Sequence, residues 1–195
     1  MELVAAETLD VDQLAALGAL YEDRFPGELR APFEDLLRDQ TVVLLDDAGQ
    51  PAGFAVTRAL GPTGWLFLRF FAVAVRGQQV GSRLWKALCD RWSEAGYSRV
   101  LLDVEDPDEP ETDDEEVSIR KRRIGFYERL GVRLLPVTEY LPPHDDVPHR
   151  LRLMTAPLPE PDLRSMVLAV YEHRYGLPAG DPVVQHTLRA SGLTR

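Results

Sequence analysis

Between Trp65 and Glu105 the apolar pattern changes period twice. Trp65–Val75 is an apolar run broken only by Arg69, and it reads as a long strand. From Gly81 to Ala95, the residues Leu84, Trp85, Leu88 and Trp92 recur at helical spacing, and Gly96 supplies the stop. Arg99–Glu105 returns to a short apolar strand pattern. Strand, helix and strand in that order imply a parallel pair joined by a right-handed crossover. A purely helical or purely antiparallel fold cannot contain such a unit.

The flanking segments add antiparallel strands and helices. Asp10 with Gln13 forms a capping box, and Leu14, Leu17 and Tyr21 follow at helical spacing to about Glu22. Phe25-Pro26-Gly27 breaks that helix, and Pro32 opens a second through Phe33, Leu36 and Leu37. Thr41–Leu45 and Ala52–Leu60 read as strands separated by the turn Asp46–Gly49, and Gly61–Gly64 turns again into Trp65. Beyond Glu105, a helix is expected over Glu116–Leu130, with strands at Val132–Thr138 and Arg150–Ala156. Pro157, Pro159 and Pro161 mark a linker, so residues 1–157 read as one domain and 158–195 as a helical extension. In that extension Asp162 and Asp181 cap two helices, and Leu163, Met166, Val167, Val170 and Tyr171 make an apolar stripe. The stripe would serve either a homodimer or the chain's own sheet.

Charge and composition narrow the partners. With 22 basic and 32 acidic side chains the formal charge is −10, which suits neither nucleic acid nor an anionic membrane. No apolar run approaches the ~20 residues of a membrane span, and Met-Glu-Leu-Val shows no signal-peptide pattern. The lone Cys89 excludes an internal disulfide, and the four histidines lack metal-ligand spacing, so no metal site is expected. A cytoplasmic protein is the expectation.

Arg76-Gly77-Gln78-Gln79-Val80-Gly81-Ser82 joins the C-terminal end of a strand to the N-terminus of a helix. Ligands of open α/β sheets bind at such a junction, and the first helical turn offers unpaired N–H groups to an anion. The run from Phe71-Ala72-Val73 to Leu84 resembles motif A of the GNAT N-acetyltransferase superfamily, and Ile124–Gly131, with Phe126-Tyr127 at its centre, resembles motif B. The resemblance covers about residues 1–157. It implies an α+β fold in α/β/α layers, with a mixed, mostly antiparallel sheet and a V-shaped splay between the fourth and fifth strands. It further implies acetyl-CoA as co-substrate. The strand at Ala72, Val73 and Val75 would hold the pantetheine arm, and Arg76, Gly77, Gln78, Gln79, Val80, Gly81 and Ser82 would cradle the pyrophosphate. Tyr127 matches the tyrosine that protonates the departing thiolate. A phenol near pKa ~10 can donate to a thiolate whose thiol titrates near ~8.5. Two positions depart from the family pattern. Gln79 stands where a first glycine is usual, and Arg120 where an asparagine is frequent.

An ammonium acceptor must lose a proton before it attacks, so a base is needed. Glu105, at the end of its strand, is the candidate, with Asp103 as understudy; equally, Glu105 reads as the first residue of a solvated acidic loop. Nine of the twelve residues from Glu105 to Glu116 are acidic, and the expected form is a mobile loop leading to a helix N-terminus. Arg120 and Arg123 precede Tyr127 by seven and four residues, which places all three on one side of a helix. Arg120 is a candidate for a CoA phosphate or for pairing with Glu116, and Arg123 reads as part of a solvated face. Phe25 and Glu28, between the first two helices, are candidate acceptor-site residues. Arg69 would hold a substrate carboxylate or meet a structural acid. The function these readings support is acyl transfer, most simply acetyl, to a primary amine of a small molecule or peptide. The rivals are a non-catalytic module that binds acyl-CoA and a protein-interaction module.

Overall fold

The computed structural model of the chain describes residues 1–25, 27, 30–75, 77, 79–110, 112–143, 150–156 and 162–194. Seven strands form one sheet in the order β1-β2-β3-β4-β5-β7-β6. The sheet is mostly antiparallel, and its parallel pair is β4 (Trp65–Val73) with β5 (Arg99–Glu105), joined by α3 (Val80–Glu94). This is the strand–helix–strand unit expected from the change of period. The chain divides into two compact units, Met1–Arg58 with Leu68–Gly96, and Ala59–Phe67 with Tyr97–Arg195.

In the first unit, β2 (Gln40–Leu45) pairs antiparallel with β3 (Pro51–Ala59), Thr41 opposite Val56. Its other edge carries β1 (Glu2–Ala5), with Glu2 opposite Leu45. The sequence reading assigned no strand there, because four residues are too few to show a period. The capping box is present: Asp10 accepts from Gln13 N, and the Gln13 side chain accepts from Asp10 N. It starts α1 (Val11–Arg24), whose Leu17 and Tyr21 pack with Leu36 of α2 (Phe33–Leu37) and with Phe54 and Val56. Along α3, Val80, Leu84, Trp85, Leu88 and Trp92 are buried at the expected spacing. A methyl group on Gly53 of β3 would lie 2.9 Å from the Ala72 carbonyl oxygen and 3.2 Å from Leu84, so only glycine lets these elements approach so closely.

In the second unit, β5 pairs with β7 (Leu151–Ala156), Leu102 opposite Met154. The strand expected at Val132–Thr138 shrinks to β6 (Arg133–Leu134), since Pro136 has no N–H for a ladder. α4 spans Asp114–Arg129 and starts two residues earlier than expected, because Asp113 caps it by accepting from Glu116 N at 2.8 Å. α5 (Leu163–Tyr175) and α6 (Pro182–Ala190) begin at their predicted caps, Asp162 and Asp181. The apolar stripe of α5 is covered from Met166 onward, and Leu163 is partly buried. Met166, Val167, Val170 and Tyr171 pack with Leu101, Leu153, Phe67 and Tyr140, and α6 adds Val184 and Leu188. Each such side chain contributes roughly 1.5–3 kcal/mol on burial. The stripe therefore serves the chain's own core, and a homodimer built on it has lost its surface. Among the described residues, no helix is long and apolar enough to cross a membrane.

Candidate active site

In the first unit, the end of β4 leads to the start of α3. Ladder bonding reaches Ala74, whose N–H donates to the Ala52 carbonyl at 2.8 Å. The strand ends at Val73, two residues before the expected Val75, which is half exposed. Arg24, the last residue of α1, donates from Nη2 to the Ala74 carbonyl oxygen at 2.5 Å. Gly77 has a φ of 91°, and the space its side chain would fill is open. Gln79 is the N-cap of α3 in the left-handed region, with φ 56° and ψ 11°. Glycine is the residue that ordinarily occupies this conformation. The loop thus keeps the backbone bend that a glycine would give, with glutamine in its place. The Gln79 side chain does not cap the helix, and no acid stands in the first turn. The N–H groups of Val80, Gly81 and Ser82 have no intrahelical acceptors, and the positive end of the helix dipole lies there.

The second unit holds β5, the acidic stretch and α4. Glu105 ends β5, and its carboxylate is ion-paired with Arg123 of α4. Tyr127 follows one turn later and is buried. Burial raises its phenol well above the ordinary value; the Arg123 charge counters this and the Asp103 charge adds to it. Asp103 accepts from Tyr175 Oη at 2.8 Å and from Tyr140 Oη at 3.3 Å. Burial is the chief cause that raises both of those phenols.

From Asp106 to Glu109 the acidic stretch is held by hydrogen bonds, where its composition predicts an open loop. Asp106 is only 3% exposed; its N–H donates to the Arg150 carbonyl, and its Oδ1 accepts from Asp108 N at 3.0 Å. Glu109 accepts from Arg150 N at 2.9 Å. Arg120 gathers the rest, donating to Glu109 Oε2 at 2.7 Å, the Asp106 carbonyl at 2.8 Å and Glu116 Oε1 at 3.0 Å. Burial works against the Arg120 charge, but its bonds to Glu109 and Glu116 hold its pKa above the usual value. Charge-assisted bonds to a half-buried cation fasten what repulsion would otherwise keep open.

The candidates therefore separate. Glu105 and Tyr127 are brought together through Arg123, which the sequence reading left on a solvated face. Arg120 is occupied by the Glu116 pair its spacing allowed and by Glu109. Arg69 meets a structural acid, Asp39, which also binds Arg58 at 2.9 Å. Phe25 packs in an aromatic cluster, 5.0 Å from the Phe70 ring and 5.4 Å from Tyr21. Glu28, Arg76 and Gln78 lie outside the described residues. Four residues escaped the sequence: Asp39, Arg24, Tyr140 and Tyr175. Only Tyr175 carried a signal, as the last residue of the helix that follows Asp162. Among the described residues, no cluster of His, Cys, Asp or Glu could hold a metal ion.

The comparisons with known proteins agree with this architecture. A protein from Bacteroides thetaiotaomicron described as of the GNAT family is 24% identical, over 91% of this chain and 99% of that one, with a TM-score of 0.71. An aminoglycoside 6'-N-acetyltransferase solved with coenzyme A is 19% identical, over 83% and 99%, with a TM-score of 0.61. Naa50 of Arabidopsis thaliana, solved with a bisubstrate analogue, is 17% identical, over 80% and 98%, with a TM-score of 0.55. Identities this low establish the fold. No curated protein is a sequence match. A sequence model of the Acetyltransferase (GNAT) family matches residues 14–132, well over half of the chain, and the chain belongs to that family.

Proposed function

We propose that this protein transfers an acetyl group from acetyl-CoA to a primary amine of a small molecule or peptide, by direct attack and without a covalent enzyme intermediate. The observation that carries the reading is the buried Tyr127 one turn from Arg123, which is paired with Glu105 at the end of β5. A buried phenol stays protonated at neutral pH and can donate.

The residues present fit the co-substrate. The uncapped first turn of α3, the open space at Gly77 and the left-handed Gln79 form an anion cradle for the pyrophosphate at Gly77–Ser82. Ala72 and Val73 at the end of β4 would hold the pantetheine arm and polarise the thioester carbonyl through a backbone N–H. Val75, beyond the strand, would border that arm. Glu105 would take the proton of the incoming ammonium, and Tyr127 would protonate the departing sulfur. The acidic surface favours a cationic acceptor. The neighbours named above include one that acts on an aminoglycoside and one solved with a peptide-bearing analogue, so both chemical classes belong in a screen. The cytoplasm is the compartment we propose.

The test is calorimetric titration with acetyl-CoA, CoA and ATP, followed by thiol release with polyamines, aminoglycosides and free-amine peptides. Micromolar binding of acetyl-CoA and CoA with weak ATP binding, and turnover lost in Tyr127→Phe with binding retained, are expected. Absence of binding at millimolar acetyl-CoA would overturn the reading.

A further inference from the structure

We propose that Arg123 is a positioning residue that couples the two proton transfers, because its guanidinium pairs with Glu105 and stands one helical turn from Tyr127. The inference rests on the roles proposed above for Glu105 and Tyr127.

The geometry begins in the sequence. Arg123 and Tyr127 are four residues apart on α4, so their Cβ atoms are about 5–6 Å apart on one face. β5 brings Glu105 to the same guanidinium. Of the charges near Tyr127, Arg123 comes from its own helix and Asp103 from β5. Asp103 is itself held by the hydroxyls of Tyr140 and Tyr175, which fixes it as a steady background. Arg123 therefore faces one partner whose charge the reaction would change and one acid whose proton the reaction would use.

The steps balance as follows. The N–H bond of the acceptor ammonium breaks and its proton passes to the Glu105 carboxylate. The amine nitrogen forms a bond to the thioester carbonyl carbon, and the C–S electron pair leaves with sulfur. The Tyr127 hydroxyl proton passes to that sulfur, the acylated nitrogen gives up its second N–H proton, which returns the phenolate to phenol, and the proton held by Glu105 leaves to water. One proton is released overall. While Glu105 is ionised, it offsets the Arg123 charge. Once Glu105 is protonated, the Arg123 charge is no longer offset and acts in full on Tyr127. Taking the first proton thus eases giving the second, with no movement of the backbone.

This coupling predicts a signed, pairwise effect that packing alone does not produce. A difluorotyrosine at position 127 brings the phenol into a range that can be titrated by fluorine NMR in the folded protein. Glu105→Gln mimics the protonated carboxyl and should lower the midpoint by about one unit. Arg123→Gln should raise it by a similar amount, and Arg123→Lys should restore most of the shift. In the double variant the effect of Glu105→Gln should shrink, because without the guanidinium the carboxylate is no longer held one turn from Tyr127. The proposal is overturned if Glu105→Gln leaves the midpoint in place, or moves it equally with and without Arg123. It is equally overturned if Arg123→Lys, folded by circular dichroism, titrates like Arg123→Gln. The titration needs neither acetyl-CoA nor an acceptor. Failure to bind acetyl-CoA would therefore remove the proposed function while leaving this result separately readable.

Discussion

Replacing Gln79 by glycine should stabilise the protein by about 0.5–1 kcal/mol. A side chain in the left-handed region costs roughly 1–2 kcal/mol, because Cβ crowds the following carbonyl. Gln79 sits there with φ 56° and offers no capping bond in return. Glycine removes that strain but loses more backbone freedom on folding, which takes back about 0.5–1 kcal/mol. For a chain of 195 residues the net gain corresponds to a rise in melting temperature of about 1–4 °C. Urea unfolding of wild type, Gln79→Gly and Gln79→Ala reads the effect directly. Alanine keeps the Cβ and should show no gain. A Gln79→Gly variant no more stable than Gln79→Ala would refute the strain argument. Acetyl-CoA titration of the same proteins separates a second role. Unchanged or tighter binding in Gln79→Gly means that backbone amides form the cradle, whereas weaker binding means that the glutamine amide itself takes part.

Gly53→Ala should cost about 2 kcal/mol and weaken acetyl-CoA binding, because the clash is with the Ala72 carbonyl at the end of β4 and cannot be relieved by a side-chain rotation. Thermal unfolding and calorimetry check both parts, and a neutral result would mean that β3 and β4 separate freely. Arg120→Met should cost about 3 kcal/mol by stripping Glu109 and Glu116 of their cation and the Asp106 carbonyl of a donor. Urea denaturation at neutral pH follows it, and an unchanged midpoint would contradict the account. Tyr171→Phe should cost about 1–2 kcal/mol, since its hydroxyl bonds Thr187 at 2.8 Å and accepts from Leu141 N, both in the second unit. Alkaline stability should fall steeply. Tyr21, Tyr127, Tyr140, Tyr171 and Tyr175 all have phenols raised chiefly by burial. Their contribution is complete below the unfolded value near ~10 and is lost as pH rises through the folded values. A flat stability curve from pH 9 to 11.5 would refute it.

What the sequence reveals follows the range of the forces involved. Caps at Asp10, Asp162 and Asp181, the periodic helix α3 and the bounds of β5 depend on neighbours a few residues away, and all were legible. The edge strand β1 and the short β6 depend on a distant partner and were not. The same division holds at the candidate site. The motif singles out Tyr127 as a candidate. The ion pair Arg123–Glu105 spans 18 positions, and Asp103–Tyr175 spans 72, so neither leaves a local trace. The acidic stretch misled for a related reason. Its charge alone predicts an open loop, but Arg120 and the backbone of Arg150 supply what the stretch itself lacks.

The position of β7 bears on how this protein could be shortened or recombined. The family match ends at residue 132, yet one full edge of β5, from Val100 to Glu105, is bonded to residues 151–156. A fragment trimmed to the matched segment would present that edge bare, with Leu101 stripped of its cover from α5. Unpaired apolar edges recruit other chains. Such a fragment should precipitate as strand-paired aggregates, and grafts that exchange the acceptor region should carry the whole chain through α6.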